Sequence, residues 1–305
     1  MGFGDGSRET WALDYEAAVP LFRQALDLGI TFWDTANIYG FGSSETVVGR
    51  AIKELARRDD IVLATKVHQQ VHEGPGGSGL SRKAIMEQID ASLTRLGTDY
   101  VDLYQIHRFD PDTPVEETME ALHDVIKAGK ARYIGASSML AWEFAKMQYI
   151  AKANGWTRFV SMQDQYSLIQ REEEREMFPL LADQGVGSLP WSPLAGGMVA
   201  RPWGDRSTNR SKDDVDMDFN GNPLWLDSDK AIIDAVAHIA EARGVSMGQV
   251  ALAWVLKHPL VDSPIVGATK EHHLADAAAS VDLKLSDDES AALERDYVRR
   301  ESTWF

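Results

Sequence analysis

Asp34, Tyr39, Lys66 and His107 stand at or just beyond the ends of strand-like runs, in TFWDTA, NIYG, IVLATKV and VDLYQIH. Reducing a carbonyl requires a hydride donor on one face of the carbon and a proton donor at the oxygen, where negative charge develops. Tyr39 can give that proton. A free phenol, with a pKa of about 10, parts with it reluctantly at neutral pH, so a neighbouring ammonium, Lys66, is needed to favour the ionised form. An ammonium in a half-buried site is costly without a carboxylate, and Asp34 lies five residues before Tyr39. His107 can orient the carbonyl oxygen through a hydrogen bond. Each residue alone is ordinary at a strand end; the four in this order describe a catalytic set.

Such a set needs rigid elements beneath it. Short β-branched or aromatic runs alternate with longer amphipathic stretches, the pattern of parallel strands joined by helices. Seven strands are predicted: Ile30 to Trp33, Ile61 to Lys66, Val101 to Ile106, Ala131 to Ala136, Phe159 to Gln163, Val186 to Trp191 and Ser263 to Gly267. Helices are predicted over Tyr15 to Leu28, Ser81 to Leu96, Glu116 to Ala128, Trp142 to Ala153, Glu173 to Ala182, Asp229 to Ala242 and Met247 to Lys257. In the second of these Ser81 can cap, and Ile85, Ile89, Leu93 and Leu96 recur on one face. Gly97, Gly129 and Gly155 stand where helices should end. Two segments break the rhythm: His68 to Gly79 after Lys66, and the Gly-, Asn-, Asp- and Pro-rich stretch from Ala200 to Asp227. Each reads either as a lid beside the active site or as a surface insertion.

The bulk properties narrow the class. With 305 residues and 44% hydrophobic residues, the chain can form a single α/β barrel, a fold of about 250 residues with insertions. A formal charge of -16 argues against a nucleic-acid backbone or an anionic membrane surface as partner. The absence of cysteine excludes disulfides and thiolate metal sites. No basic and apolar leader opens the sequence and no run reaches the 18 or so apolar residues of a membrane span, so a cytoplasmic location is expected. Oligomeric state is not legible.

The motifs FWDTANIYGFGSSETVVG, VLATKV, LGTDYVDLYQIHR, GKARYIGASS, SMQDQYS and PWSPLAGG resemble the aldo-keto reductase superfamily, nearest its aryl-alcohol dehydrogenase-like and potassium-channel β-subunit-like branch. The resemblance runs from about Met1 to Leu293. It implies a (β/α)8 TIM barrel over residues 1–305, NADPH as cofactor with NADH as the alternative, a small carbonyl compound as substrate, and no metal. Carried over residue by residue, it places Ser137 and Gln163 on the nicotinamide carboxamide, with Ser138 where many relatives have Asn. Trp191 is placed against the nicotinamide ring, and Ser192, Pro193, Leu194 and Gly196 in the pyrophosphate loop. Gly267 and Lys270 fall in the stretch that meets the 2′-phosphate, His273 where an Arg is common, and Asp276 near the adenine amino group. Asp164 departs from the Asn that often follows the motif Gln. Trp33, Trp11, the loop from Ala200 and Trp304-Phe305 are candidate walls of an apolar pocket, or else core and surface residues.

Relatives open with a strand that ends in a sequence like Leu-Gly-x-Met-x-Phe-Gly, and this chain begins Met1-Gly2-Phe3-Gly4. A barrel lacking its N-terminal hairpin and first strand is therefore expected, with two opened edges and reduced stability. Two alternatives to the reductase accompany that reading: a cofactor-sensing subunit like the channel β-subunits, and an inactive truncated product.

Overall fold

The computed structural model describes residues 1–6, 11–207, 216–218 and 221–303. The chain divides into two compact units, one of residues 1–162 and 267–271, the other of 163–266 and 272–305.

The first unit is a run of parallel strands with a helix before each. α1 (Tyr15–Asp27), β1 (Phe32–Asp34), α2 (Ser43–Leu55), β2 (Val62–Val67), α3 (Arg82–Leu96), β3 (Val101–Ile106), α4 (Val115–Lys127), β4 (Ala131–Ser137) and α5 (Ala141–Asn154) follow in order. β1 pairs with β2, β2 with β3 and β3 with β4, all parallel, in registers that set Asp34 opposite Ala64, Lys66 opposite Gln105 and Ile106 opposite Ala136. Beyond β4 begins β5 (Ser161–Gln163), introduced by the Val160 N–H to Ile134 O bond of 3.0 Å. Strands covered on both faces read as continuous buried runs, and every residue of β2 after Val62 is buried.

Sequence chemistry explains where the helices start and stop. Asp14 caps α1 through Ala17 N, and Ser81 caps α3 through Ala84 N. Gly97 and Gly155 close α3 and α5 in the left-handed conformation that glycine adopts without strain. α2 crosses α3 so closely that a Cβ at Gly49 would collide with the Leu96 backbone. α1 continues through Pro20.

In the second unit β5 ends at Gln163. A 3₁₀ turn (Glu172–Glu174), α6 (Met177–Gln184), β6 (Gly187–Ser188), α7 (Asp229–Arg243), α8 (Met247–Lys257), α9 (Glu271–Ala279) and α10 (Asp287–Glu294) follow. Tyr166 stacks on Trp254 at 5.2 Å and meets Phe178 edge-on at 4.9 Å, forming the aromatic centre of this unit. Arg300 and Asp229 make a buried ion pair.

Differences from expectation have local causes. The helix predicted from Glu173 begins only at Met177, so Pro179 falls in the first turn, where its missing N–H costs nothing. Of Val186 to Trp191 only two residues are strand, and Ser263 to Gly267 forms none. Pro190 and Pro264 cannot donate to a ladder. The two runs nevertheless lie side by side, through a parallel bridge of Ser188 with Val261 and the Ile265 N–H to Pro190 O bond of 2.7 Å. Among the described residues no strand precedes α1; Phe3 makes a single bridge with Leu13. None of the described helices is long and apolar enough to cross a membrane.

Candidate active site

All four residues of the predicted catalytic set lie in the first unit, on the carboxyl ends of adjacent strands. Asp34 ends β1, Tyr39 follows it in a 3₁₀ turn (Tyr39–Gly42), Lys66 is the penultimate residue of β2 and His107 follows β3. The parallel register brings these ends to one level, since Asp34 and Lys66 stand two residues apart against β2. Lys66 is wholly buried and pairs with Asp34 Oδ1, while its ammonium also donates to Thr35 O at 2.9 Å. Its Nζ lies 5.1 Å from the centre of the Tyr39 ring. Tyr39 meets the His107 ring edge-on at 5.7 Å.

The electrostatics follow from burial. Burial alone pulls the Lys66 ammonium down, and Asp34 and Tyr39 outweigh it, leaving the pKa above its ordinary value. Lys66 is therefore charged at neutral pH. His107 is held well below its ordinary range, first by burial and then by the Lys66 and Arg108 charges. It is therefore neutral. Its Nδ1 is buried without a hydrogen-bond partner.

Three supporting residues were not singled out in the sequence. Gln105 Nε2 donates to Asp34 Oδ2 at 3.0 Å and fixes the carboxylate that faces Lys66. Strand alternation held the signal, because Gln105 sits two residues before His107 and shares its face. The Thr35 carbonyl could not have been found from side-chain type. Arg108 donates to the His107 carbonyl at 2.6 Å, and burial pushes its pKa down to about 10, with Tyr39 acting in the opposite sense.

The predicted cofactor residues fall in both units. In the first, Ser137 ends β4 and Ser138 follows at φ 44°, their hydroxyls 3.4 Å apart and both buried. Gly267 and Lys270 belong to this unit, and Lys270 is exposed. In the second, Gln163 is buried at the end of β5, and the Trp191 N–H donates to Asp164 O at 2.6 Å. Ser192 at φ 55° opens a tight turn in which its Oγ accepts from Gly196 N at 3.2 Å, with Pro193 buried and Leu194 accepting from Gly197 N at 2.7 Å. His273 and Asp276 lie on α9, where His273 packs edge-on against His272 at 4.5 Å.

The pocket walls sort differently. Trp33 is 7% exposed, packs on Phe22 at 4.9 Å and donates to Ile30 O, so it is core. Trp304 and Phe305 lie outside the described residues, as do 208–215 and 219–220 of the loop from Ala200. The His68 to Gly79 loop is tied down: Gly79 N reaches His68 O at 2.8 Å, Val71 N reaches Gly77 O at 2.9 Å and Gln88 Nε2 reaches Gly76 O at 3.0 Å. Gly77 serves the loop itself, as a Cβ there would strike the His72 carbonyl.

Comparison with known proteins agrees with this arrangement. The sequence profile of the Aldo/keto reductase family matches residues 1–297. The chain is 46% identical over 316 aligned residues to the versiconal hemiacetal acetate reductase of Aspergillus parasiticus, covering 98% of this chain and 92% of that protein. It is 42% identical to the aldo-keto reductase AMT2 of Alternaria alternata, over 97% of this chain and 86% of the relative. It is 40% identical to a Schizosaccharomyces pombe protein that carries an aryl-alcohol dehydrogenase name, over 97% of both chains. The chain belongs to the aldo/keto reductase family, oxidoreductases that act on carbonyl groups with a nicotinamide cofactor.

Proposed function

We propose that the chain reduces an aldehyde or ketone to the alcohol at the expense of NADPH, with Tyr39 as general acid, and catalyses the reverse oxidation by the same route. The observation that carries this reading is the wholly buried Lys66, paired with Asp34 and set 5.1 Å from the Tyr39 ring. A buried ammonium beside a phenol serves proton transfer better than stability, because a buried pair is weak evidence for stability.

The geometry supports the following roles. Tyr39 gives its proton to the carbonyl oxygen, and the Lys66 ammonium stabilises the phenolate that is left. Asp34, itself held by Gln105, keeps Lys66 charged and fixed. A neutral imidazole carries one N–H, and a buried N–H without a partner costs about 1–3 kcal/mol. Since the His107 Nδ1 is buried and unpartnered, the proton is assigned to Nε2, which orients the substrate oxygen as a donor.

The chain also offers groups suited to a nicotinamide dinucleotide. The Ser137 and Ser138 hydroxyls and the Gln163 amide are neutral hydrogen-bonding groups of the kind a carboxamide takes, and the half-buried Trp191 indole offers a flat apolar face. The reversal at Ser192 to Gly197, with positive φ at Ser192, Ala195, Gly196 and Gly197, suits a loop that wraps phosphates. Gly267, Lys270, His273 and Asp276 are assigned to the adenosine end; Lys270 supplies the positive charge that favours NADPH over NADH. When bound, the reduced nicotinamide supplies the hydride.

Steady-state NADPH oxidation with a panel of aromatic and aliphatic aldehydes tests the reading. Carbonyl-dependent turnover supports it. Tight cofactor binding with negligible turnover on every member would replace it with the sensor alternative.

A further inference from the structure

Asp164, one residue beyond Gln163, has no solvent exposure, and neither of its carboxylate oxygens has a hydrogen-bond partner. Such a group is costly in a folded chain and calls for a physical reason. Alternation along the extended chain sets where it points: Asp164 shares a face with Tyr166 and opposes Gln163. The reversal at Ser167 to Gln170, closed by reciprocal N–H to O bonds of 3.0 and 3.1 Å, turns the chain back on itself. The Tyr166 hydroxyl then reaches Glu174 Oε1 at 2.7 Å. The face that carries Asp164 thus looks onto the 3₁₀ turn Glu172–Glu174, in which Glu173 is only 7% exposed.

Among the described residues, the cations of the neighbouring turn and C-terminal segment face other carboxylates. Arg171 forks onto Glu174 with two bonds of 2.9 Å, Arg175 lies 3.5 Å from Glu172, and Arg300 pairs with Asp229. His258, against the Tyr166 ring, is held below its ordinary pKa by burial. Burial raises Asp164 to about 8, and burial together with the Asp164 and Glu172 charges raises Glu173 well above the carboxylate range. At neutral pH Asp164 holds its proton for most of the time, and burial favours the protonated form of Glu173 as well. The backbone links them to the proposed cofactor residues, since Asp164 O accepts the Trp191 N–H and Gln165 bridges to Trp191.

We propose that Asp164 and Glu173 are positioning residues, a proton-holding acid pair that keeps the β5 end with Gln163 and the turn with Trp191 in their cofactor-binding arrangement and releases them on ionisation. This rests on the reading above that Gln163 and Trp191 hold the nicotinamide. One carboxylate formed in this low-dielectric interior, with no donor on either Asp164 oxygen, is costly to keep buried, and the strand end and the 3₁₀ turn separate to let water reach it.

The test compares wild type, Asp164→Asn and Glu173→Gln, each melted without cofactor and each titrated with NADPH by its nicotinamide fluorescence, from pH 7 to 10. For wild type the NADPH Kd should rise about tenfold per pH unit above pH 8. Asp164→Asn, which keeps the shape and cannot ionise, should bind at pH 7 like wild type and lose this rise. Between pH 7 and 8 its melting temperature should also fall less than that of wild type. A wild-type Kd that stays flat to pH 10, or an Asp164→Asn variant that retains the wild-type rise, overturns the proposal. Failure of wild type to bind NADPH at pH 7 overturns the cofactor reading instead, and the melting profiles then read the acid pair on their own.

Discussion

Lys66→Met removes a charge from a side chain with no solvent exposure while keeping most of its apolar stem. Asp34, 6% exposed, then loses its cation but keeps the Gln105 hydrogen bond of 3.0 Å. Removing one partner of a buried ion pair costs about 3–5 kcal/mol, and the surviving Gln105 bond places this variant near about 3. Asp34→Asn leaves the Lys66 ammonium buried without a countercharge, held by the Thr35 carbonyl at 2.9 Å and the Tyr39 hydroxyl, so its cost should reach about 4 kcal/mol. The double variant carries no uncompensated charge. If the pair acts as a unit, its cost falls well below the sum of the two, near about 3–4 kcal/mol, a coupling of roughly 3 kcal/mol. Urea denaturation of the four proteins, with the slope checked for constancy, measures this cycle. In parallel, carbonyl reduction should fall by roughly 10²–10⁴ in both variants that lack Lys66. Costs that add to within about 0.5 kcal/mol would refute the claim that Asp34 is present to compensate Lys66.

Tyr39→Phe should lower kcat by roughly 10²–10⁴ while shifting stability by less than about 1 kcal/mol, because the side chain is only half-buried; full activity would remove Tyr39 from the mechanism. His107 has a folded pKa well below its unfolded value of about 6.5, so the unfolded chain takes up the proton first. Its contribution is complete above pH 6.5 and is lost as pH falls, by up to about 1.4 kcal/mol per pH unit. His107→Asn should therefore flatten the acid limb of stability between pH 5 and 6.5 in urea titrations, and an unchanged limb would contradict the burial argument. Gly49→Val should destabilise by about 1–3 kcal/mol, because the new Cβ meets the Leu96 backbone rather than a side chain that can swing away. A neutral result in thermal melts would mean that α2 and α3 can part freely.

That Asp34, Tyr39, Lys66 and His107 come together was legible because each follows a strand, and parallel strands bring their ends to one level. What supports the set was harder to read. Gln105 was available from alternation with His107, whereas the Thr35 carbonyl belongs to the backbone and leaves no compositional trace. In the first unit each strand prediction matched to within two residues at either end, since short β-branched and aromatic runs stand out there between the amphipathic helices. The last two predicted strands fell short because hydrophobic pattern does not register the missing donors of Pro190 and Pro264. α2 carries Val47, Val48, Ala51 and Ile52 on one buried face, a spacing obscured by the motif in which it begins. α9 and α10, nine and eight residues long, are too short for periodicity to stand out, although Ser286 and Glu289 form a capping box for α10. Asp164 was visible as a departure from the family pattern, but its burial and its facing Glu173 arise from the reversal at Ser167 to Gln170, which sequence alone did not supply.

The central claim is that Tyr39, Lys66, Asp34 and His107 serve transfer of hydride and proton to a carbonyl. NADPH deuterated at both C4 positions, incubated with benzaldehyde and the purified protein, tests it most directly by mass spectrometry of the alcohol. The account predicts one deuterium on the carbinol carbon of each alcohol molecule formed, in step with NADPH consumed, and a rate that collapses in Tyr39→Phe. Alcohol without deuterium, or the same deuterium transfer at an undiminished rate in Tyr39→Phe, would contradict it.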